Sequence, residues 1–88
     1  MNFKIAYCFK EGSICKYKGA TLIIQDNSYT IKFAFKTLDI LNKTTTTATK
    51  IPNYMFLFRG VNLTNGTNSY NLYFNDCEAD KIYQYLNL

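Results

Sequence analysis

The chain contains no histidine and no tryptophan, one proline, four glycines and an odd number of cysteines, three, among 88 residues. Lacking histidine, it lacks the commonest general base and the commonest neutral metal ligand, and a zinc site would need carboxylates to complete it. Cys8, Cys15 and Cys77 show no C-x-x-C spacing. An odd count is a poor disulfide framework, so reduced and mostly buried thiols are expected. The six carboxylates are scattered, no cysteine has a neighbouring base to activate it, and Gly12, Gly19, Gly60 and Gly66 form no phosphate-cradling loop. No catalytic residue, metal or cofactor is therefore expected, and the chain reads as a non-enzyme.

Long apolar runs are missing too. The longest, Tyr54-Met55-Phe56-Leu57-Phe58, falls far short of the roughly 20 residues of a membrane span. Residues 1–5 lack the apolar stretch and small-residue cleavage site of a signal peptide. A cytoplasmic location without a membrane span is expected.

What is abundant is aromatic side chain: 8 Tyr and 7 Phe. Rings in that number can fill the core of one small domain without disulfides or metal. Such a chain buries only about 60–65% of its unfolded surface, so modest stability is expected.

Residues 2–10 alternate, with Phe3, Ile5, Tyr7 and Phe9 on one face of a half-buried strand. Glu11-Gly12-Ser13 reads as a turn, and residues 14–18 as a short extended piece ended by Gly19. Residues 21–25 and 29–35 form a hairpin about the turn Asp26-Asn27-Ser28, with Tyr29, Ile31, Phe33 and Phe35 inward. Residues 38–41 are a further strand. Residues 42–52, polar and aperiodic around Thr44–Thr47, read as a mobile loop ended by Pro52. Residues 53–61 read as a strand apolar on both faces, Tyr54, Phe56 and Phe58 on one and Met55 and Leu57 on the other. Asn65-Gly66 suits a turn needing positive φ, and residues 70–74 are the last strand, with Tyr70, Leu72 and Phe74 inward.

Residues 76–87 change period. Asn75 is an N-cap with Glu78 placed to close a capping box, and Asp76, Glu78 and Asp80 suit the positive end of a helix dipole. Ala79, Ile82, Tyr83 and Leu86 make one apolar stripe. Residues 1–88 are thus one mostly β, α+β domain of six or seven antiparallel strands, as a small barrel or orthogonal sheet pair, closed by a C-terminal helix.

That order resembles the pleckstrin-homology-like domains in their short bacterial or GRAM-type form. The pieces that carry it are residues 17–24 (Tyr17-Lys18-Gly19-Ala20-Thr21-Leu22-Ile23-Ile24), residues 33–41 with the pair Asp39-Ile40, and residues 70–86. The resemblance implies two bent sheets with the helix plugging the open end. It also implies an anion site on basic residues around the first strand pair, here Lys10, Lys16, Lys18 and Lys32, although the arginine such sites favour is absent.

Charge is lopsided. Residues 1–50 hold eight lysines and three acids, and residues 51–88 hold Arg59 and Lys81 against Asp76, Glu78 and Asp80. The basic half could hold phosphate, as in a phosphoinositide or anionic lipid headgroup, or track single-stranded nucleic acid through Lys4, Lys10, Lys32 and Lys36. Solvated strand lysines are the plainer reading. Most aromatic alternation points to the core, leaving Tyr17, Tyr73 and Tyr85 as free rings. A protein–protein interaction module, with a protein partner or a homodimer, is the leading expectation, with Met55, Leu57, Arg59 and Tyr73 as its candidate interface. The Lys-, Asn-, Ile-, Tyr- and Phe-rich composition suits a low-GC bacterium or its phage, so one form of this function is a phage- or mobile-element-encoded inhibitor of a host protein.

Overall fold

The computed structural model describes residues 1–13 and 16–88. Ile14 and Cys15, which belong to the expected extended piece at 14–18, lie outside the described residues. The elements are β1 (Asn2–Lys4), β2 (Tyr7–Lys10), β3 (Lys16–Lys18), β4 (Thr21–Ile24), β5 (Ser28–Phe33), β6 (Lys36–Asn42), β7 (Thr47–Tyr54), β8 (Phe58–Thr64), β9 (Ser69–Phe74) and α1 (Asp76–Leu86). All strand pairs are antiparallel. They form a four-stranded sheet, β1-β4-β5-β6, and a five-stranded sheet, β3-β2-β9-β8-β7.

One bent ribbon joins the two sheets. β1 pairs with β4 in the first sheet, and β2 pairs with β3 in the second. Between them the ladder continues through Ile5 N–H to the Ala20 carbonyl (2.9 Å) and Gly19 N–H to the Ala6 carbonyl (3.2 Å). Gly19 sits at φ 71°, which glycine adopts without a Cβ penalty, so it can turn the ribbon here. Ala6 N–H meanwhile donates to the Tyr73 carbonyl, handing the chain to the second sheet. Counting each bent strand once gives seven strands and a helix. The sheets are not closed into a barrel: β6 and β7 stay in different sheets and form no ladder with each other.

The bend reverses the expected facing of the first strand. Phe3 and Ile5 are buried, but beyond the bend it is Cys8 that is buried, and Tyr7 and Phe9 emerge on the other side. Facing positions of the two sheets then build one core, with Leu22, Ile24, Tyr29, Ile31 and Leu41 from the first and Cys8, Val61, Leu63, Tyr70, Leu72 and Phe74 from the second. Each fully buried aliphatic or aromatic side chain contributes about 1.5–3 kcal/mol of transfer free energy, offset by the entropy of ordering the chain.

Two hairpins depart from the sequence expectation. β5 and β6 join through Ala34-Phe35, with Ala34 at φ 54°, and Phe33 and Phe35 are exposed rather than inward. The second departure is larger. The apolar run at 54–58 is not a strand interior but the tip of the β7–β8 hairpin: Tyr54 pairs with Phe58 across Met55-Phe56-Leu57. β7 in turn replaces most of the expected loop at 42–52. Only residues 43–46 turn, held by Asn42, whose side-chain oxygen accepts from Thr44 N–H (2.9 Å) and Oγ1 (2.8 Å). β-Branched threonines suit a strand, and β7 is an edge strand, where Pro52 falls within a register irregularity and so costs no ladder bond. The turn after β8 is made by the Asn65 side chain, which accepts from Thr67 and Asn68 N–H, and not by a positive φ at Gly66.

The helix matches its sequence signals. Asn75 caps it, accepting from Glu78 N–H (3.2 Å), and Asn87 ends it in the left-handed region at φ 57°. Ala79, Ile82 and Tyr83 are buried, and Leu86 lies against the core. Glu78 does not close the capping box. Its Oε2 accepts from Lys4 N–H (2.9 Å), satisfying an edge donor of β1, so the helix spans from β1 across β8 and β9. Tyr83 adds a buried hydroxyl bond to the Gly60 carbonyl (2.9 Å). Among the described residues no helix is long and apolar enough to cross a membrane.

Candidate interaction surface

The other sheet and the helix cover the inner side of the five-stranded sheet, and among the described residues no element packs on its outer side. Strand alternation sends outward Lys16 and Lys18 of β3, Tyr7 and Phe9 of β2, Asn71 and Tyr73 of β9, Phe58, Gly60 and Asn62 of β8, and Thr49 and Ile51 of β7. Five half-buried rings gather there. Tyr7 meets Tyr54 (5.3 Å) and Phe58 (5.1 Å), Phe9 meets Tyr54 (5.3 Å) and Tyr73 (5.8 Å), and Tyr54 meets Tyr73 (5.0 Å). Four of these five contacts are edge-to-face, at 71–83° between planes, the arrangement the ring quadrupole favours.

Gly60 is what lets the cluster close. A Cβ there would lie 2.4 Å from Ile51 Cγ1 and 2.9 Å from Tyr73 Cε1, so Ile51 and Tyr73 can meet over this position only because no side chain occupies it. Burial among its neighbours, with Tyr54 next, raises the Tyr73 phenol above the ordinary tyrosine range. Beside the rings lies a polar group satisfied within itself: Asn62 Nδ2 donates to Ser69 Oγ (2.9 Å) and Asn71 Oδ1 (2.8 Å), and Thr64 Oγ1 donates to Asn62 Oδ1.

The apolar surface runs on into the hairpin tip, where Met55 is 58%, Phe56 97% and Leu57 69% exposed. The tip has the form of a type I′ turn: Met55 and Phe56 sit at φ 53° and 62°, and Leu57 N–H donates to the Tyr54 carbonyl (3.3 Å). That turn favours Asn-Gly. Two large side chains in the left-handed region are outliers, and outliers of this kind gather at binding sites.

At the outward strand positions the charged residues are Lys16 and Lys18. Their ammonium groups lie 5.4 and 5.9 Å from the Tyr7 ring centre, within cation–π reach. The remaining residues of the expected anion patch lie elsewhere. Lys10 lies over the Tyr70 ring (6.0 Å), beside Lys36 in a small cavity of about 150 Å³, and Lys32 is on the outer face of the four-stranded sheet, as is Lys4. The four lysines do not form one patch.

Of the expected interface, Tyr73 is in the ring cluster and Met55 and Leu57 form the tip beside it. Arg59 points the other way, to the helix, where its Nη1 lies 2.7 Å from Asp80 and its Nε 3.4 Å from Asp76. Tyr17, expected to be free, faces inward, partly buried against the core and 5.4 Å from Phe33. Tyr7, Phe9, Tyr54 and Phe58 were not expected on this surface. For Tyr7 and Phe9 the available signal is Gly19, which marks the bend that reverses their facing.

A groove of about 580 Å³ runs between β1 and α1, lined by Phe3, Glu78, Lys81, Gln84 and Tyr85. Its carboxylate is committed to Lys4 N–H and lies 4.0 Å from Lys81. Cys8 is buried beneath the sheet, and burial pushes its thiol up to about 12, which keeps it protonated and unreactive at neutral pH. No known family model, curated protein or solved structure matches the chain.

Proposed function

We propose that this chain is a non-enzymatic protein-interaction domain that works through the outer face of its five-stranded sheet and the β7–β8 tip. The observation that carries this reading is the interlocked ring cluster on a sheet face that no described element covers, continued by three exposed apolar residues. Exposed apolar patches mark interaction sites, and interface cores are rich in Tyr, Phe and Met. A frame of the pleckstrin-homology-like kind is part of the proposal. The seven strands counted through the bends, and the terminal helix tied to both sheets, support it. An inhibitor of a host protein, carried by a phage or mobile element, is the form of this function that the composition favours.

Single-stranded nucleic acid fits less well. Bases stack on open ring faces, whereas these rings stand 5.0–5.8 Å apart against one another and leave no slot between them. Met55→Asp and Leu57→Asp test the reading, because both side chains are exposed and a folded protein is expected. A protein retained by the wild type should be lost by both variants and kept by Ile40→Asp, a control on the outer face of the other sheet. Equal retention by all of them refutes the proposal. Loss of a dimer mass by light scattering would identify a second copy of the chain as the partner.

A further inference from the structure

We infer that the segment this face takes is an acidic protein segment that also carries apolar side chains, an inference that rests on the function proposed above. Its carboxylates lie along the β3 edge, and its apolar groups cross the rings toward Met55-Phe56-Leu57.

The first ground is uncompensated charge. Lys16 and Lys18 project from the same face of one short edge strand, and among the described residues neither has a carboxylate within ion-pair reach. Most of the protein's own acids are engaged away from this face. Asp76 and Asp80 hold Arg59, Glu78 holds Lys4 N–H, and Asp39 accepts from the Tyr70 hydroxyl (2.7 Å) and from Asn68 (3.1 Å). Asp26 is in the β4–β5 turn; Glu11 follows β2 at the end where Phe9 pairs with Lys16, at the rim of this face, and makes no ion pair with either lysine.

The second ground is the rings. They give apolar contact surface directly beside the two lysines, whose ammonium groups lie against the Tyr7 ring. The face is therefore apolar and carries two cations at its edge.

The same grounds argue against two other occupants. A second copy docked through this face would set two lysines of each chain against outward strand positions whose one neighbouring carboxylate is Glu11 at the rim, because a two-fold contact uses the same patch twice, so the lysines would outnumber the acids two to one. A single-stranded nucleic acid would find two cations here, enough for a salt slope of only about −1.4 and correspondingly weak binding.

The experiment is an amide-resolved NMR titration of the ¹⁵N-labelled full chain with three probes: a soluble peptide of repeating Glu-Phe-Gly, its Lys-Phe-Gly counterpart, and an oligothymidylate. The expected result is that the Glu peptide shifts residues 7–9, 16–18, 54–58 and 73, and that its affinity falls with salt. It should exceed the Lys peptide by about tenfold, and the double variant Lys16→Glu/Lys18→Glu should cancel or reverse that preference. Equal binding of the two peptides on this face overturns the acidic partner and leaves the protein-binding face standing. Shifts confined to other surfaces, tightest binding by the oligothymidylate, or no shift with any probe overturn both.

Discussion

Replacing Met55-Phe56 by Asn-Gly is expected to make the protein more stable while abolishing its binding. The two residues sit at φ 53° and 62°, where a large L-side chain costs about 1 kcal/mol or more each. Asn and Gly adopt this conformation readily, so about 2 kcal/mol of strain is relieved. Against this, glycine returns about 0.5–1 kcal/mol through the greater freedom of the unfolded chain. Phe56 gives up almost no burial, being 97% exposed, and Met55 gives up little. The net gain is about 1 kcal/mol, a rise in Tm of about 4–8 °C for a domain of this size. Urea unfolding followed by circular dichroism measures it, with the slope against urea unchanged. A variant that is equally stable or less stable would show that the tip is unstrained, or that Met55 and Phe56 hold the hairpin together. A variant that is more stable and still binds would show that the strain serves no interaction. Stability given up at an exposed apolar tip makes sense only if those side chains are needed for contact.

Three further outcomes follow from the same geometry. The phenols of Tyr29, Tyr70, Tyr73 and Tyr83 are all held above the ordinary value of 10.0, chiefly by burial, so the unfolded chain loses these protons first. Stability is then fully present below pH 10 and falls as pH rises beyond it, and urea midpoints that stay flat well above that pH would refute this. Gly60→Ala places a Cβ 2.4 Å from Ile51 Cγ1 and should cost about 1–3 kcal/mol by thermal or urea unfolding, with Ile51→Ala in the same chain recovering much of it. Arg59→Ala removes exposed ion pairs to Asp76 and Asp80, so it should cost under about 1 kcal/mol and leave peptide binding unchanged; lost binding would return Arg59 to the interface.

Some of the candidate site was legible before the structure. Tyr73 faces outward because β9 alternates cleanly; the run at 54–58 leaves Met55 and Leu57 either covered or exposed, and the structure exposes both. The run itself is a hairpin tip and not a strand interior. Turn rules look for Gly, Asn or Pro, and Tyr54-Met55-Phe56-Leu57-Phe58 offers none, so its β-forming residues read as a strand. A turn built from residues that disfavour it is a place where local preference and tertiary demand conflict, and such conflicts are expected at functional sites. Arg59 points away from this face for a different reason: the register of β8 turns it toward the helix carboxylates, which lie well away in sequence.

The sequence by itself determined the helix, its N-cap and buried stripe, the turn at Asp26-Asn27 and the β-rich class. These depend on interactions between residues a few positions apart, and such interactions are written in local spacing. The tertiary structure alone decided which side of each strand is inside. Alternation defines two faces but does not label them, and one bend at Ile5-Ala6 is enough to bury Phe3 and Ile5 while exposing Tyr7 and Phe9. The aromatic face exists because that bend, the pairing of β2 with β9, and the bare space at Gly60 bring rings from four strands together, and no local spacing records that meeting.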